Sequence, residues 1–200
     1  MKNELHLGFI VDGNRRWARE RGLPTIEGHR RGYRKVEDTI EYLASKNIKY
    51  QTYYLFSTEN WGRSEAEVSY LMNLVRKNIT RLTKKLMKLD LRLVVLGREE
   101  PVEPSLWQSL MDSEEKTKDN QSGIVAVCFN YGGQQELADA ATSLIAAGHK
   151  GEVTVEDLAN HIYHPEVPPV DMIVRTSGEQ RISGFMLWRA SYSEFLFLDK

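Results

Sequence analysis

Cysteine is nearly absent from this 200-residue chain, where Cys128 stands alone. A single thiol excludes a disulfide framework, and its place inside an apolar run fits a reducing cytoplasm. Long apolar runs are missing too. The longest, Ile124 to Phe129, is six residues, against the roughly 18 that a membrane span requires. Met1-Lys2-Asn3-Glu4 leads into no apolar signal region with a small-residue cleavage site, so export is not expected. There is no Gly-rich Walker loop, no zinc-ligand pairing among five histidines and one cysteine, and no Gly-x-Ser-x-Gly elbow. No Asp-Asp pair occurs, which argues against aspartate-rich sites that hold several Mg²⁺ ions. Charge of one sign is lacking overall, since 27 basic and 28 acidic side chains leave a net −1. The resulting pI near 6.5 speaks against a nucleic-acid-binding module.

What is present is the composition of one globular domain, 41% hydrophobic and 28% charged at 23.1 kDa. A chain of that mass can bury about 70% of its extended surface. Short β-rich runs alternate with helix-period runs, an α/β pattern. Strands are expected at Leu5–Val11, Gln51–Phe56, Leu91–Leu96, Ile124–Asn130, Met172–Arg175 and Glu194–Phe197. Most are continuous apolar runs, as in strands covered on both faces of a mostly parallel sheet with helical crossovers. Val36, Ile40, Leu43 and Ala44 mark the core face of a helix ending near Lys46-Asn47. Thr154 to Asp157 resembles a capping box, and Ser64 to Glu67 is a better one. The second opens a helix to about Leu89 whose seam is Val68, Met72, Val75, Ile79, Leu82, Leu86 and Leu89. Such a seam packs on the sheet, pairs with another subunit or lines an apolar tunnel. The Pro-rich stretch His164 to Pro169 reads as an ordered connector into the next strand.

The neutral total hides an asymmetry. Residues 1–35 hold nine basic against four acidic side chains, a candidate site for an anion. Within them, Asp12-Gly13-Asn14-Arg15-Arg16-Trp17 follows the first strand and opens a helix. Ligands bind at strand C-terminal ends in α/β sheets, and helix N-termini suit phosphate. A carboxylate among arginines suits Mg²⁺ shared with phosphate oxygens; a cap with a salt bridge is the plainer alternative. Gly28-His29-Arg30-Arg31 adds cations before the second helix. Polar groups also follow two further strands, at Ser57 to Arg63 and at Arg175 to Ser183. Several such loops at one sheet edge favour a functional site.

These residues resemble the cis-prenyltransferases, the isoprenyl transferase family that includes undecaprenyl diphosphate synthase. The likeness rests on Asp-Gly-Asn-Arg-Arg-Trp-Ala at 12–18, Gly-His at 28–29, Phe-Ser-Thr-Glu-Asn-Trp at 56–61 with Arg63, Asn-Tyr-Gly-Gly at 130–133, Arg-Thr-Ser-Gly-Glu-Gln-Arg-Ile-Ser at 175–183, and Glu194. It spans His6 to Asp199 and implies a single α/β domain over 1–200, its mostly parallel central sheet flanked by helices around an apolar tunnel. It further implies Mg²⁺-dependent condensation of isopentenyl diphosphate with an allylic diphosphate, geranyl or farnesyl, giving a Z-polyprenyl diphosphate of short or medium length.

By the same resemblance Asp12 places Mg²⁺ on the allylic diphosphate, while Gly13, Asn14, Arg15, Arg16, Trp17 and His29 surround its oxygens. Arg175, Arg181, Ile182 and Ser183 hold isopentenyl diphosphate. Asn60 positions the leaving proton, with Ser57, Thr58, Glu59, Trp61 and Arg63 around the substrates, and Glu194 completes a metal site, often in the neighbouring subunit. A cytoplasmic homodimer that meets the membrane peripherally to deliver product is implied, without nucleic acid. A catalytically silent partner subunit is the alternative. Thr25 stands where many members carry an arginine, leaving Arg15, Arg19 or Arg21 to supply that contact. Leu55 stands where long-chain members often carry alanine, and its bulk is expected to shorten the product. Relatives are expected to continue beyond Asp199-Lys200 with a further C-terminal segment.

Overall fold

The computed structural model describes residues 4–199. The chain runs β1 (His6–Ile10), α1 (Asn14–Arg19), α2 (Thr25–Ser45), β2 (Tyr50–Ser57), a 3₁₀ turn (Thr58–Gly62), α3 (Glu65–Lys88) and β3 (Leu91–Leu96). It continues through α4 (Pro104–Thr117), β4 (Gly123–Tyr131), α5 (Gly133–Ala146), α6 (Val155–Ala159), β5 (Met172–Arg175) and β6 (Glu194–Phe197). All expected strands form, with ends shifted by a residue in β1, β2 and β4. Helices α4 and α5 went unmarked in the sequence, where their patterns are weaker.

The strands make one sheet in the order β3-β4-β2-β1-β5-β6, parallel throughout. Every strand therefore ends at the same edge, and the order reverses direction around β1, which is where α/β sheets place ligands. Side-chain alternation divides the strands between two cores. Tyr53, Leu93, Val95, Val125 and Val127 pack with Val36 and Ile40 of α2 and Ile79, Leu82 and Leu86 of α3. Tyr54, Val94, Leu96 and Cys128 face the other side, against Ile173, Phe185 and Met186. β6 departs from the expectation of strands covered on both faces. It pairs only with β5, and Phe195 and Leu196 are exposed.

Most of the α3 seam is spent on the first core, where Val68, Met72, Ile79, Leu82 and Leu86 are buried. Ser64 caps this helix, its hydroxyl accepting the Glu67 N–H at 3.4 Å. The reciprocal bond of a capping box is not made, because the Glu67 carboxylate turns elsewhere. The box at Thr154 closes in both directions with Asp157.

Two contacts place the β1–α1 turn. Gly13 has φ +95°, a left-handed conformation that disfavours any side chain, and a Cβ there would sit 2.7 Å from that of Ser177. On the other side α1 lies directly on α2. A Cβ at Gly28 would come 2.0 Å from the Asn14 carbonyl oxygen, and one at Gly32 2.3 Å from the Asn14 side chain. The turn is thus held between the loop after β5 and the first turns of α2.

Candidate active site

At the sheet's C-terminal edge, residues of β1, α1, α2, β2, α3 and the loop after β5 enclose a cavity of about 510 Å³. Asp12 stands at its mouth. One carboxylate oxygen accepts the Gly13 N–H at 2.8 Å, and the other accepts Arg175 Nη2 at 2.8 Å. Burial disfavours the charge on Asp12, but Arg175, the Gly13 N–H and Arg63 outweigh it and hold the carboxyl below its ordinary value. Arg175 is 3% exposed. Its Nη1 donates to the Ser183 hydroxyl at 3.0 Å and to the Arg181 carbonyl, while Nε is buried without a partner among the described residues.

The two loops are bonded to each other. Thr176 donates its hydroxyl to the Asp12 carbonyl at 2.7 Å, and Arg16 Nη1 donates to the Ser177 carbonyl at 2.8 Å. Among the described residues no side chain caps α1, so its first-turn N–H groups are left without an intrahelical or side-chain partner. Arg15, Arg16, Arg63 and Arg175 all line it, an environment built for an anion with several oxygens. The walls beyond are apolar: Val36, Leu55, Leu71, Leu74, Val75 and Phe129. Val75 belongs to the α3 seam, whereas Leu71 and Leu74 lie beside it, so the wall is a helix face adjoining the one the heptad spacing marks.

The structure gathers Asp12, Gly13, Asn14, Arg15, Arg16, His29, Leu55, Ser57, Glu59, Asn60, Arg63, Arg175 and Ser183 around this space. Others named from the sequence lie elsewhere. Trp17 faces a second cavity of about 680 Å³ on the far side of the Gly13–Asn14 turn, with Arg21 and Arg31 over its ring at 4.5 and 5.1 Å. Trp61 packs on Phe56 and donates its indole N–H to Asn130 at 2.8 Å, making it a support for the loop. Thr58 lies against Gly132, Ile182 packs on the second core, and Arg181 pairs with Glu179 in solvent. Of the arginines that could replace one at Thr25, only Arg15 lines the first cavity. Asn60 spends its carbonyl oxygen on the Ser57 N–H at 3.1 Å, capping the 3₁₀ turn.

Glu194 is the clearest displacement. It pairs in register with Met172, which pairs with Leu7, so it sits at the opposite end of the strands from Asp12. At about 3.3 Å per residue that separates them by roughly 16 Å along the sheet. Within one chain the two cannot share a cation, and among the described residues no group of three or more His, Cys, Asp or Glu could hold one. The donor set at the mouth is one carboxylate flanked by guanidinium groups. It fits Mg²⁺ only as an ion whose remaining ligands are diphosphate oxygens and water.

One participant escaped the sequence reading. Glu67, there given a capping role, accepts His29 Nε2 at 3.0 Å and Arg63 Nη1 at 2.9 Å, with Arg15 at 3.8 Å. The partners lie on different elements, and only Arg63, four residues earlier, could have been read as a local pair.

The chain matches a prenyltransferase family model described as undecaprenyl diphosphate synthase over residues 10–200. It is 44% identical over 199 residues to a trans,polycis-polyprenyl diphosphate synthase ((2Z,6E)-farnesyl diphosphate specific) of Thermobifida fusca, covering 97% of this chain and 71% of that one. It is 40% identical to an isoprenyl transferase of Thermotoga maritima, covering 100% of this chain and 87% of the relative. The crystal structure of lavandulyl diphosphate synthase from Lavandula x intermedia, in complex with dimethylallyl diphosphate, superposes with a TM-score of 0.91 at 26% identity, covering 98% of this chain and 86% of that one.

Proposed function

The chain belongs to the undecaprenyl diphosphate synthase family of isoprenyl transferases, and from that premise we propose that it condenses isopentenyl diphosphate with an allylic diphosphate to make a Z-polyprenyl diphosphate. The observation that carries this reading is a single space with two chemistries. Its mouth holds guanidinium groups and open N–H groups around one carboxylate, and its depth is aliphatic and aromatic.

In the reaction the C1–O bond of the allylic substrate breaks and diphosphate leaves. C4 of isopentenyl diphosphate bonds to C1, and loss of a proton from C2 forms the new double bond. The chain's task is to stabilise the departing anion with donors already in place. Gly13 to Arg16 and His29 hold the allylic diphosphate, and Arg175 and Ser183 hold isopentenyl diphosphate through charge-assisted bonds. Asp12 would hold Mg²⁺, which would supply Lewis-acid stabilisation to the leaving diphosphate. Asn60, bound to Ser57, fixes the turn that carries Glu59 and Arg63 to the substrates. Glu194, at the exposed edge, serves the neighbouring subunit of a homodimer. No helix among the described residues is long and apolar enough to cross a membrane; delivery of product from a peripheral position is part of this proposal.

Purified protein with geranyl or farnesyl diphosphate, isopentenyl diphosphate and Mg²⁺ is expected to release diphosphate and form a ladder of Z-polyprenyl products, and to stop when the metal is chelated. Absence of condensation would instead identify a silent partner subunit. Leu55 lies against the apolar wall. Its replacement by alanine is expected to lengthen the longest product by at least one five-carbon unit. A ladder no longer than wild type would remove Leu55 as the length determinant.

A further inference from the structure

His29 is 7% exposed and borders the cavity. Its Nε2 is spent on Glu67. Glu67 is ionised at neutral pH: burial disfavours its charge, but His29, Arg63 and Arg15 outweigh that and hold the carboxyl below its ordinary value. An ionised carboxylate only accepts hydrogen bonds, so Nε2 carries the ring's hydrogen. In the neutral ring Nδ1 is then a bare lone pair, and it makes no hydrogen bond among the described residues. Fully ionised diphosphate oxygens also only accept. Two acceptors repel unless a proton stands between them.

From this geometry we propose that Glu67 is a positioning residue for His29, fixing the ring so that an allylic diphosphate can be held at Nδ1 only as that nitrogen takes up one proton from solvent. The inference rests on the diphosphate reading of the cavity. In the bound state the imidazolium lies between two anions and donates to both, an arrangement stronger than either neutral bond. When the diphosphate departs, the proton returns to solvent. The groups around the ring favour this exchange. Burial, Arg63 at the end of the 3₁₀ turn and Arg15 on α1 push His29 below its ordinary value, against the opposing pull of Glu67 on α3. The empty site therefore leaves the ring neutral, and a second anion is needed to charge it. Linkage gives the sign: between the free and bound values, affinity falls as pH rises, by up to about tenfold per unit.

The test is calorimetric binding of geranyl diphosphate, without isopentenyl diphosphate, at fixed Mg²⁺ and pH 8, in two buffers of different ionisation enthalpy. Wild type is expected to take up close to one proton per site, and His29→Gln none. Glu67→Gln can still accept from Nε2 but lacks the charge to support an imidazolium. Its uptake is expected to fall by at least half, and the pH dependence of Kd to flatten. Binding by wild type with no buffer dependence overturns the inference alone, as does undiminished uptake in either variant. No binding of geranyl diphosphate at all overturns the functional reading and the inference with it.

Discussion

Asp12→Ala is expected to lower kcat for condensation by roughly 10²–10³, the cost of losing one well-placed electrostatic contributor, while the protein stays folded. The carboxylate is half-exposed at the cavity mouth, so little packing depends on it. Arg175 keeps Ser183 and the Arg181 carbonyl as partners after the change. Asp12→Asn sharpens the test. An amide oxygen can still accept the Gly13 N–H or an Arg175 donor, so the turn is preserved while the charge that holds a cation is lost. Steady-state kinetics across a Mg²⁺ series should show both variants depressed by at least a hundredfold at saturating metal, with cooperative urea unfolding retained but its midpoint lowered, because the buried Arg175 guanidinium loses its carboxylate partner. An asparagine variant within threefold of wild type would remove Asp12 from the metal role.

The largest expected loss of stability lies away from the cavity. Glu136 of α5 and Arg189 form an ion pair at 2.8 Å with side-chain exposures of 0% and 1%. Tyr131 donates its hydroxyl to the other Glu136 oxygen, and Arg189 also donates to the carbonyls of Tyr163, His164 and Val167. This pair ties the Pro-rich connector to α5 and β4. Glu136→Ala would leave a buried guanidinium uncompensated, at a cost of roughly 3–5 kcal/mol. In a chain of this length that lowers Tm by about 6–20 °C. The double variant Glu136→Leu, Arg189→Met should be less destabilised than Glu136→Ala, because no charge remains to be paired. Urea unfolding of the two variants decides it. A single variant within 1 kcal/mol of wild type would show that the charge finds water or another partner.

The fold was legible because its signals are local. Six apolar runs, their parallel nature and the helices α2, α3 and α6 follow from periodicity and caps that need only a few neighbouring residues. Much of the site was equally readable, since Asp12 follows β1, Asn60 follows β2 and Arg175 ends β5, whereas His29, expected before the second helix, lies in the second turn of α2. What escaped depends on pairing across the chain. Glu67 meets His29 from 38 positions away, and Arg189 meets Glu136 from 53. Neither can be seen before the topology is known. Ser64 and Glu67 carry the spacing of a capping box, but the stronger partners, a histidine and two arginines, arrive only with folding and take the carboxylate. The surroundings of Trp17 and Trp61 likewise emerge only with the fold. Both adjoin catalytic-looking residues in sequence, yet their rings point into supporting contacts.

The place of β1 between β2 and β5 has a temporal consequence. β1 leaves the ribosome long before its partner on one side, Met172–Arg175. At roughly 5–20 residues per second, β1 waits about ten seconds or longer for that neighbour. Asp12 and Arg175 lie on opposite sides of this late pairing, so a chain that has not yet made and docked β5 lacks the anion site. Pairings this distant also make parallel sheets slow to form. Recovery of condensation during refolding should therefore follow the slowest step of sheet assembly rather than the earlier return of helix.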